Sequence, residues 1–197
     1  VTFALWLGLI LGAYLLGSVP FGLVLCRLSG QPDPRLGGSG NIGATNVTRL
    51  AGKTVGAATL LLDVAKGAAP VYLAAAWLPD WQYASVGLAA FLGHCYPIYL
   101  GFKGGKGVAT AMGIYLALSW PSLLGALALF VAAAWRTGHV SLGSLLACGS
   151  APLWFLAWGE PWPEVVLAAL MAALVVWKHR ENIARLRAGT ESRLGSS

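Results

Sequence analysis

Apolar residues run along this chain in long, nearly continuous blocks, separated by short clusters of glycine, proline and charge. Blocks that are hydrophobic on every side read as helices in a membrane or a core, not as half-wet surface helices. The pattern yields seven segments: 1–26, 54–78, 82–100, 107–119, 121–136, 142–158 and 163–178. A perpendicular crossing of the hydrocarbon layer takes about 20 residues. The first two segments meet that length. The fourth, fifth and seventh hold roughly 13–16 residues each, so the bilayer thins beside them or they do not fully cross. A five-span arrangement with a shallow hairpin over 107–136 is the alternative. The expected fold class is all-α, a polytopic transmembrane helix bundle of about seven spans, with one domain over 1–197. No soluble domain, low-complexity tract or internal repeat interrupts it. The first segment has no basic stretch before it and reads as a retained span, not a cleaved signal.

Composition sharpens the class. Hydrophobic residues make up 57% of the chain and charged residues 10%, against roughly 45–50% and 25% in ordinary globular proteins. Mean hydropathy is +0.71. So little charge cannot coat a water-soluble body of this size. Cys26, Cys95 and Cys148 lie in or beside apolar segments without C-x-x-C spacing. They suggest neither a disulfide framework nor a metal site and read as small buried hydrophobes.

The distribution of charge sets an orientation. Arg27, Arg35, Arg49, Lys53, Lys66, Lys103, Lys106, Arg136, Lys178, Arg180, Arg185, Arg187 and Arg193 all fall in or toward alternate connections and the tail. The opposite connections carry Asp80 and Glu160, with Glu164 just inside the next segment. By the positive-inside rule the N-terminus is expected outside and the C-terminus in the cytoplasm. Trp77, Trp81, Trp120, Trp158 and Trp162 cluster at the outer boundary, as an aromatic belt does.

The unusual polar motifs all fall on the cytoplasmic side. The first is "GGSGNIGATNVTR", residues 37–49. Gly38 to Gly43 spell G-x-G-x-x-G, but a dinucleotide site needs a strand before it and a βαβ unit after it. Here "SGQPDPRL" precedes and an apolar span follows. Phosphate-binding P-loop spacing fails too: at "GFKGGKGV" the position five after Gly101 is Lys106, and at "AGKT" the residue five before Gly52 is Val47. What remains is a loop whose backbone N–H groups and small side chains admit an anion closely. Gly40, Gly43, Ala44, Thr45 and Asn46 are candidate contacts, Ser39 and Asn41 supply donors, and Arg49 suits bidentate phosphate binding. A plain flexible loop is the bland alternative. The second motif is "GFKGGKGVAT", with Gly105 and Lys106 directly before an apolar helix, again an anion-binding arrangement. Lys103 reads equally well as a headgroup anchor. The third is "KHRENIARLRAGTE". If the helix continues, His179 and Asn182 share a face, where an imidazole can donate to phosphate or act as a base. Arg185 and Arg187 read as headgroup contacts.

Three further features carry a structural and a functional reading. Asp63 and Lys66, three apart inside the second span, favour a self-paired bridge. Ser141 and Ser144 either bind substrate or cap a helix. His94 has no Asp five residues on, so the H-x-x-x-x-D acyltransferase arrangement is absent and a packed histidine is expected.

Taken in order, "GSGNIGATNVTR", "DVAKG", "GHCYPIYLGFKGGKGVAT", "VSLGS" and "HRENIARLRAGTE" resemble the bacterial acyl-phosphate:glycerol-3-phosphate acyltransferase family over nearly the whole chain. The resemblance implies an inner-membrane enzyme of phospholipid synthesis. It implies acyl phosphate and glycerol 3-phosphate as substrates, lysophosphatidic acid and phosphate as products, and no cofactor. It implies roles for Ser39, Asn41, Arg49, Lys106, His179 and Asn182, with Gly40, Gly43, Ala44, Thr45, Asn46, Gly105, Ser141 and Ser144 around them. Ile42 stands where many members carry a small residue or Pro. Membrane lipid is the expected surrounding, with no nucleic acid, no metal and no obligate protein partner. Among motif carboxylates Glu181 is the one considered as a base, and the expectation is that a substrate phosphate takes the hydroxyl proton instead. A transporter of phosphate or a phosphorylated metabolite is the alternative function. Against it, the polar residues gather on one side, whereas transporters place them near the midplane. A lipid-binding scaffold is a third reading, disfavoured by the density of phosphate-type ligands.

Overall fold

The computed structural model describes residues 2–194. Val1, where the first expected segment begins, and residues 195–197 of the expected domain lie outside the described residues. Regular structure among the described residues is helical: α1 (Phe3–Ser18), α2 (Phe21–Leu28), α3 (Ala44–Ala75), α4 (Asp80–Cys95), α5 (Val108–Leu118), α6 (Trp120–Thr137), α7 (Val140–Ala157), α8 (Trp162–Lys178) and α9 (Arg180–Arg187), with a 3-10 turn at Ile98–Leu100. Each of the seven apolar segments holds a helix. By length and apolarity, α3 and α7 can cross a membrane alone, and the bent pairs α1–α2 and α8–α9 qualify when each is taken as one span. The apolar helix α5 is shorter, with 11 residues, about 16 Å at 1.5 Å per residue.

Three breaks interrupt the helical path, one inside the first apolar segment and two at the edges of the second and seventh. Pro20 lacks an N–H to continue the helix, and α2 leaves α1 at 45°. Inside α3, Gly52 has φ 85° and ψ 170°, a conformation that only glycine tolerates. The seven or eight residues before it form a separate polar helical stretch ahead of the apolar one. At the other end, α9 turns 58° away from α8, with His179 at the joint (φ −96°, ψ 7°).

The chain divides into two compact units, one over 1–117 and the other over 118–197. In the first, α4 packs on α1 and α3, and α3 also packs on α2. Gly17 and Gly93 bring α1 and α4 so close that a Cβ on either would strike the facing backbone. The core there includes Ala13, Ala74, Val86, Ala89 and Ala90. Trp6 Nε1 donates to Ser85 Oγ at 2.9 Å and the Tyr14 hydroxyl to the Tyr96 carbonyl at 2.8 Å. In the second unit, α7 packs between α6 and α8, and Phe155, Ala168, Met171 and Val175 are buried. Ser119 caps α6 through the Ser122 N–H, and left-handed Gly138 ends it.

The outward faces are as apolar as the cores. Leu11, Leu61, Leu73, Val131, Leu153 and Leu170 are all exposed. A water-facing surface does not carry apolar area of this extent; a lipid-facing one requires it. The five tryptophans of the expected outer belt are more than half exposed and lie at or beside helix ends. Trp135 and Trp177, near the opposite ends of α6 and α8, are exposed as well. They supply aromatic residues at the second boundary, which the sequence reading did not single out.

Candidate functional site

The first polar loop is organised by a single amide. Asn46 is buried, and its Nδ2 donates to the carbonyls of Pro34 (2.8 Å), Asn41 (2.9 Å) and Gly37 (3.2 Å). Its Oδ1 accepts the Ser39 N–H at 2.9 Å. The polar atoms of Asn46, an expected ligand contact, fold the loop. Asn41 acts partly in the same way, because its Oδ1 accepts the Gly43 N–H at 2.8 Å. Gly40, at φ 67°, donates its N–H to Gly37. The amides of Ser39, Gly40 and Gly43 are thus engaged within the loop and do not form the expected open cradle.

The anion-seeking feature lies one step further along. Gly43 is the N-cap of α3, and Ala44 and Thr45 open the helix. First-turn N–H groups have no acceptor within their own helix and attract negative charge. Thr45 and Arg49, four apart and both exposed, share a face there. The Arg49 stem lies beside Gly38. Ser39 is exposed next to it. Arg35 is already engaged: it pairs with Asp33 at 2.6 Å. The Arg35 hydrogen bonds, the largest influence, hold the Asp33 carboxyl at about 2.

The second loop is shaped by packing. Gly105 is buried, and its N–H donates to the His94 carbonyl at 3.1 Å. A Cβ on Gly105 would collide with His94 Nε2. Gly105 thus has a packing role against His94. Lys106 follows, half-buried, two residues before α5 begins; Lys103 is exposed.

Beneath this loop lies a buried charge cluster. Lys66 Nζ is 2.7 Å from Asp63 Oδ1, with both side chains almost fully enclosed. His94 Nδ1 approaches the same Asp63 oxygen at 3.7 Å. Lys66 also donates to the Val19 carbonyl at 2.9 Å, at the α1–α2 break. The expected Asp63–Lys66 bridge is present, and His94 joins it, a partnership the sequence did not reveal.

In the second unit, His179 does not continue α8. It occupies the joint, buried, and its Nδ1 donates to the Val175 carbonyl at 2.8 Å. That bond makes Nδ1 the protonated nitrogen of the neutral ring and leaves Nε2 as the basic one. Asn182 is buried in α9 and donates to Glu191 Oε1 at 2.6 Å. Arg185 donates to Glu191 Oε2 at 2.7 Å, so its expected headgroup role is corrected to an ion pair. Arg187 is exposed. Burial tends to raise the Glu191 carboxyl, but hydrogen bonding with Asn182, Ser141 and Arg185 outweighs it and holds the group below its ordinary value. Ser141 Oγ is buried without a hydrogen bond of good geometry, yet its dipole still favours the Glu191 charge. Ser144 donates to the Val140 carbonyl of its own helix at 3.0 Å; neither serine caps α7, whose N-cap is His139. Glu181 has a 75% exposed side chain. Sequence reasoning missed Glu191. The signal was present: Gly189, left-handed in the structure, turns the chain back two residues before Glu191, the second acid of a basic tail. The tail then docks, with the Leu194 N–H donating to Gly138 at 2.7 Å.

A family profile described as Glycerol-3-phosphate acyltransferase matches residues 7–189. The chain is 56% identical over 183 residues to a Glycerol-3-phosphate acyltransferase of Geobacter sulfurreducens, covering 92% of this chain and 93% of the relative. It is 50% identical to one of Syntrophotalea carbinolica, covering 94% and 95%. Among solved structures it resembles PlsY, an integral membrane glycerol 3-phosphate acyltransferase, in its glycerol 3-phosphate form. The TM-score is 0.93 at 43% identity, covering 96% of each chain. For the lysophosphatidic acid form the TM-score is 0.89 at 41% identity, covering 96% and 95%.

Proposed function

The chain belongs to the glycerol-3-phosphate acyltransferase family, and from that membership we propose its reaction: a fatty acyl group passes from an acyl phosphate to the 1-hydroxyl of glycerol 3-phosphate. The products are lysophosphatidic acid and inorganic phosphate. The full chain acts as one multi-pass acyltransferase of the bacterial inner membrane, with seven spans and its polar motifs at the cytoplasmic face.

The reaction needs phosphate binding, an apolar route for the acyl tail and stabilisation of a developing oxyanion. The observation that carries the reading is the first turn of α3, where two amides, Thr45, Arg49 and Ser39 gather at an exposed helix start. Arg49 and Lys106 bind glycerol phosphate and offset its charge, and His179 serves the same reaction. Ser39, Asn41 and the α3 amides hold the acyl phosphate and the oxyanion. Asn182, fixed by Glu191, orients the substrate in the same reaction. The glycerol hydroxyl oxygen attacks the acyl carbon, the bond from that carbon to the phosphate oxygen breaks, and phosphate leaves. The hydroxyl proton passes to a phosphate oxygen of the substrates. Glu181, turned to solvent, is not needed as a base. Because phosphate leaves readily, much of the rate comes from positioning.

The test uses purified protein in lipid mesophase with palmitoyl phosphate and glycerol 3-phosphate. Phosphate and lysophosphatidic acid should appear in equal amounts. Lys106→Ala should lower the rate by at least about a hundredfold, the scale of losing one charged transition-state contact. Phosphate release that never exceeds spontaneous hydrolysis in the wild type would overturn the reading.

A further inference from the structure

The reaction above uses none of the buried cluster Asp63, Lys66 and His94, whose enclosure carries a desolvation cost that pairing among the three offsets. Its surroundings indicate what the cluster holds in place. Lys66 reaches the Val19 carbonyl at the α1–α2 break, and its ammonium lies 5.5 Å from the centre of the Phe21 ring. One residue on, Gly22 presses on the Ile42 carbonyl of the first polar loop so closely that a Cβ would collide with it. On the other side, the His94 ring lies against Gly105 and the His94 carbonyl accepts the Gly105 N–H. The cluster therefore touches the backbone beside Lys106 at one end and supports the helix that braces the first loop at the other.

We propose that His94, held by the Asp63–Lys66 pair, is a positioning residue that sets Lys106 for the phosphate of glycerol 3-phosphate. His94 touches Gly105, not the substrate, and acts through the backbone of the second loop. The pair supplies the fixed wall against which the imidazole rests. A ring that shifts by an ångström moves Gly105 with it and takes Lys106 off the phosphate, the kind of displacement that strongly reduces positioning.

This inference rests on the proposed reaction, and its test separates the two. Glycerol 3-phosphate affinity is read as the ligand-induced rise in thermal stability, without acyl donor, in wild type, His94→Ala, His94→Gln, Lys106→Ala and the His94→Ala/Lys106→Ala pair. The expected result is about tenfold weaker binding in His94→Ala, partial recovery in His94→Gln, and less than about twofold further loss when His94→Ala is added to Lys106→Ala. That non-additivity is what a residue acting through Lys106 produces. The KM for palmitoyl phosphate should stay within about twofold of wild type in His94→Ala. Gly105→Ala attacks the same contact from the loop side and should reproduce the affinity loss if His94→Ala does not fold. Wild-type protein that binds while His94→Ala binds equally well overturns the inference alone. So do losses that multiply across the pair, because they mark a general structural role. Wild-type protein that shows no binding overturns the reaction and the inference together.

Discussion

Asn46 holds four backbone groups of one loop at once, through carbonyls five, nine and twelve residues away and an amide seven away. That role is invisible in a sequence. An asparagine in a glycine-rich loop offers the same donors whether it turns toward a ligand or inward, and only the path of the chain decides. Ser39, Thr45 and Arg49 are legible as ligands because their positions in the motif remain exposed. Gly105 and His94 are not legible as a contact, since the ten residues between them run through a turn and a loop. Asn46→Ala would leave several polar groups without their partner, at about 1–3 kcal/mol for each buried group. It should lower the melting temperature of the purified protein clearly, whereas Thr45→Ala should leave it nearly unchanged while weakening glycerol 3-phosphate binding. A melting temperature unaffected by Asn46→Ala would contradict the hub.

Helices were legible as elements because their apolar runs are long and their boundaries are marked. Ser119 and Pro121 start α6, Gly138 ends it, and Pro163 lies in the first turn of α8. The breaks were less legible. Gly52 is legible in the sequence only as part of a failed P-loop spacing, and the motif around His179 is compatible with a continuing helix. Both breaks depend on backbone conformation, which one-dimensional periodicity does not record. Gly52 separates the short stretch that presents Thr45 and Arg49 from the long apolar stretch that contains Asp63 and Lys66. Gly52→Ala would force a left-handed extended conformation on a residue with a Cβ, at about 1–3 kcal/mol. The chain can relieve that strain by straightening α3, which re-aims its first turn. The expected outcome is a rise of at least about fivefold in both the glycerol 3-phosphate KM, through Arg49, and the palmitoyl phosphate KM, through the first-turn amides. Steady-state kinetics with each substrate varied in turn checks this.

At the scale of the whole molecule, composition already specified a membrane protein, and the exposed leucines around α1, α3, α7 and α8 give that composition a surface. The charge asymmetry predicts that a fluorescent protein fused after Ser197 matures in the bacterial cytoplasm, while alkaline phosphatase fused there stays inactive; active phosphatase would reverse the orientation. The division into two units was not legible, because seven apolar segments of similar character carry no mark of which neighbours they prefer. That division gives the three cysteines a use their sequence context did not suggest. Cys26 and Cys95 are buried in one unit and Cys148 in the other, all as thiols outside any disulfide. An alkylating reagent reaches such a thiol when its surroundings open. The wild-type chain thus carries its own stopwatches, two in one half and one in the other, and mass spectrometry of timed alkylation would read how often each half breathes in a lipid bilayer.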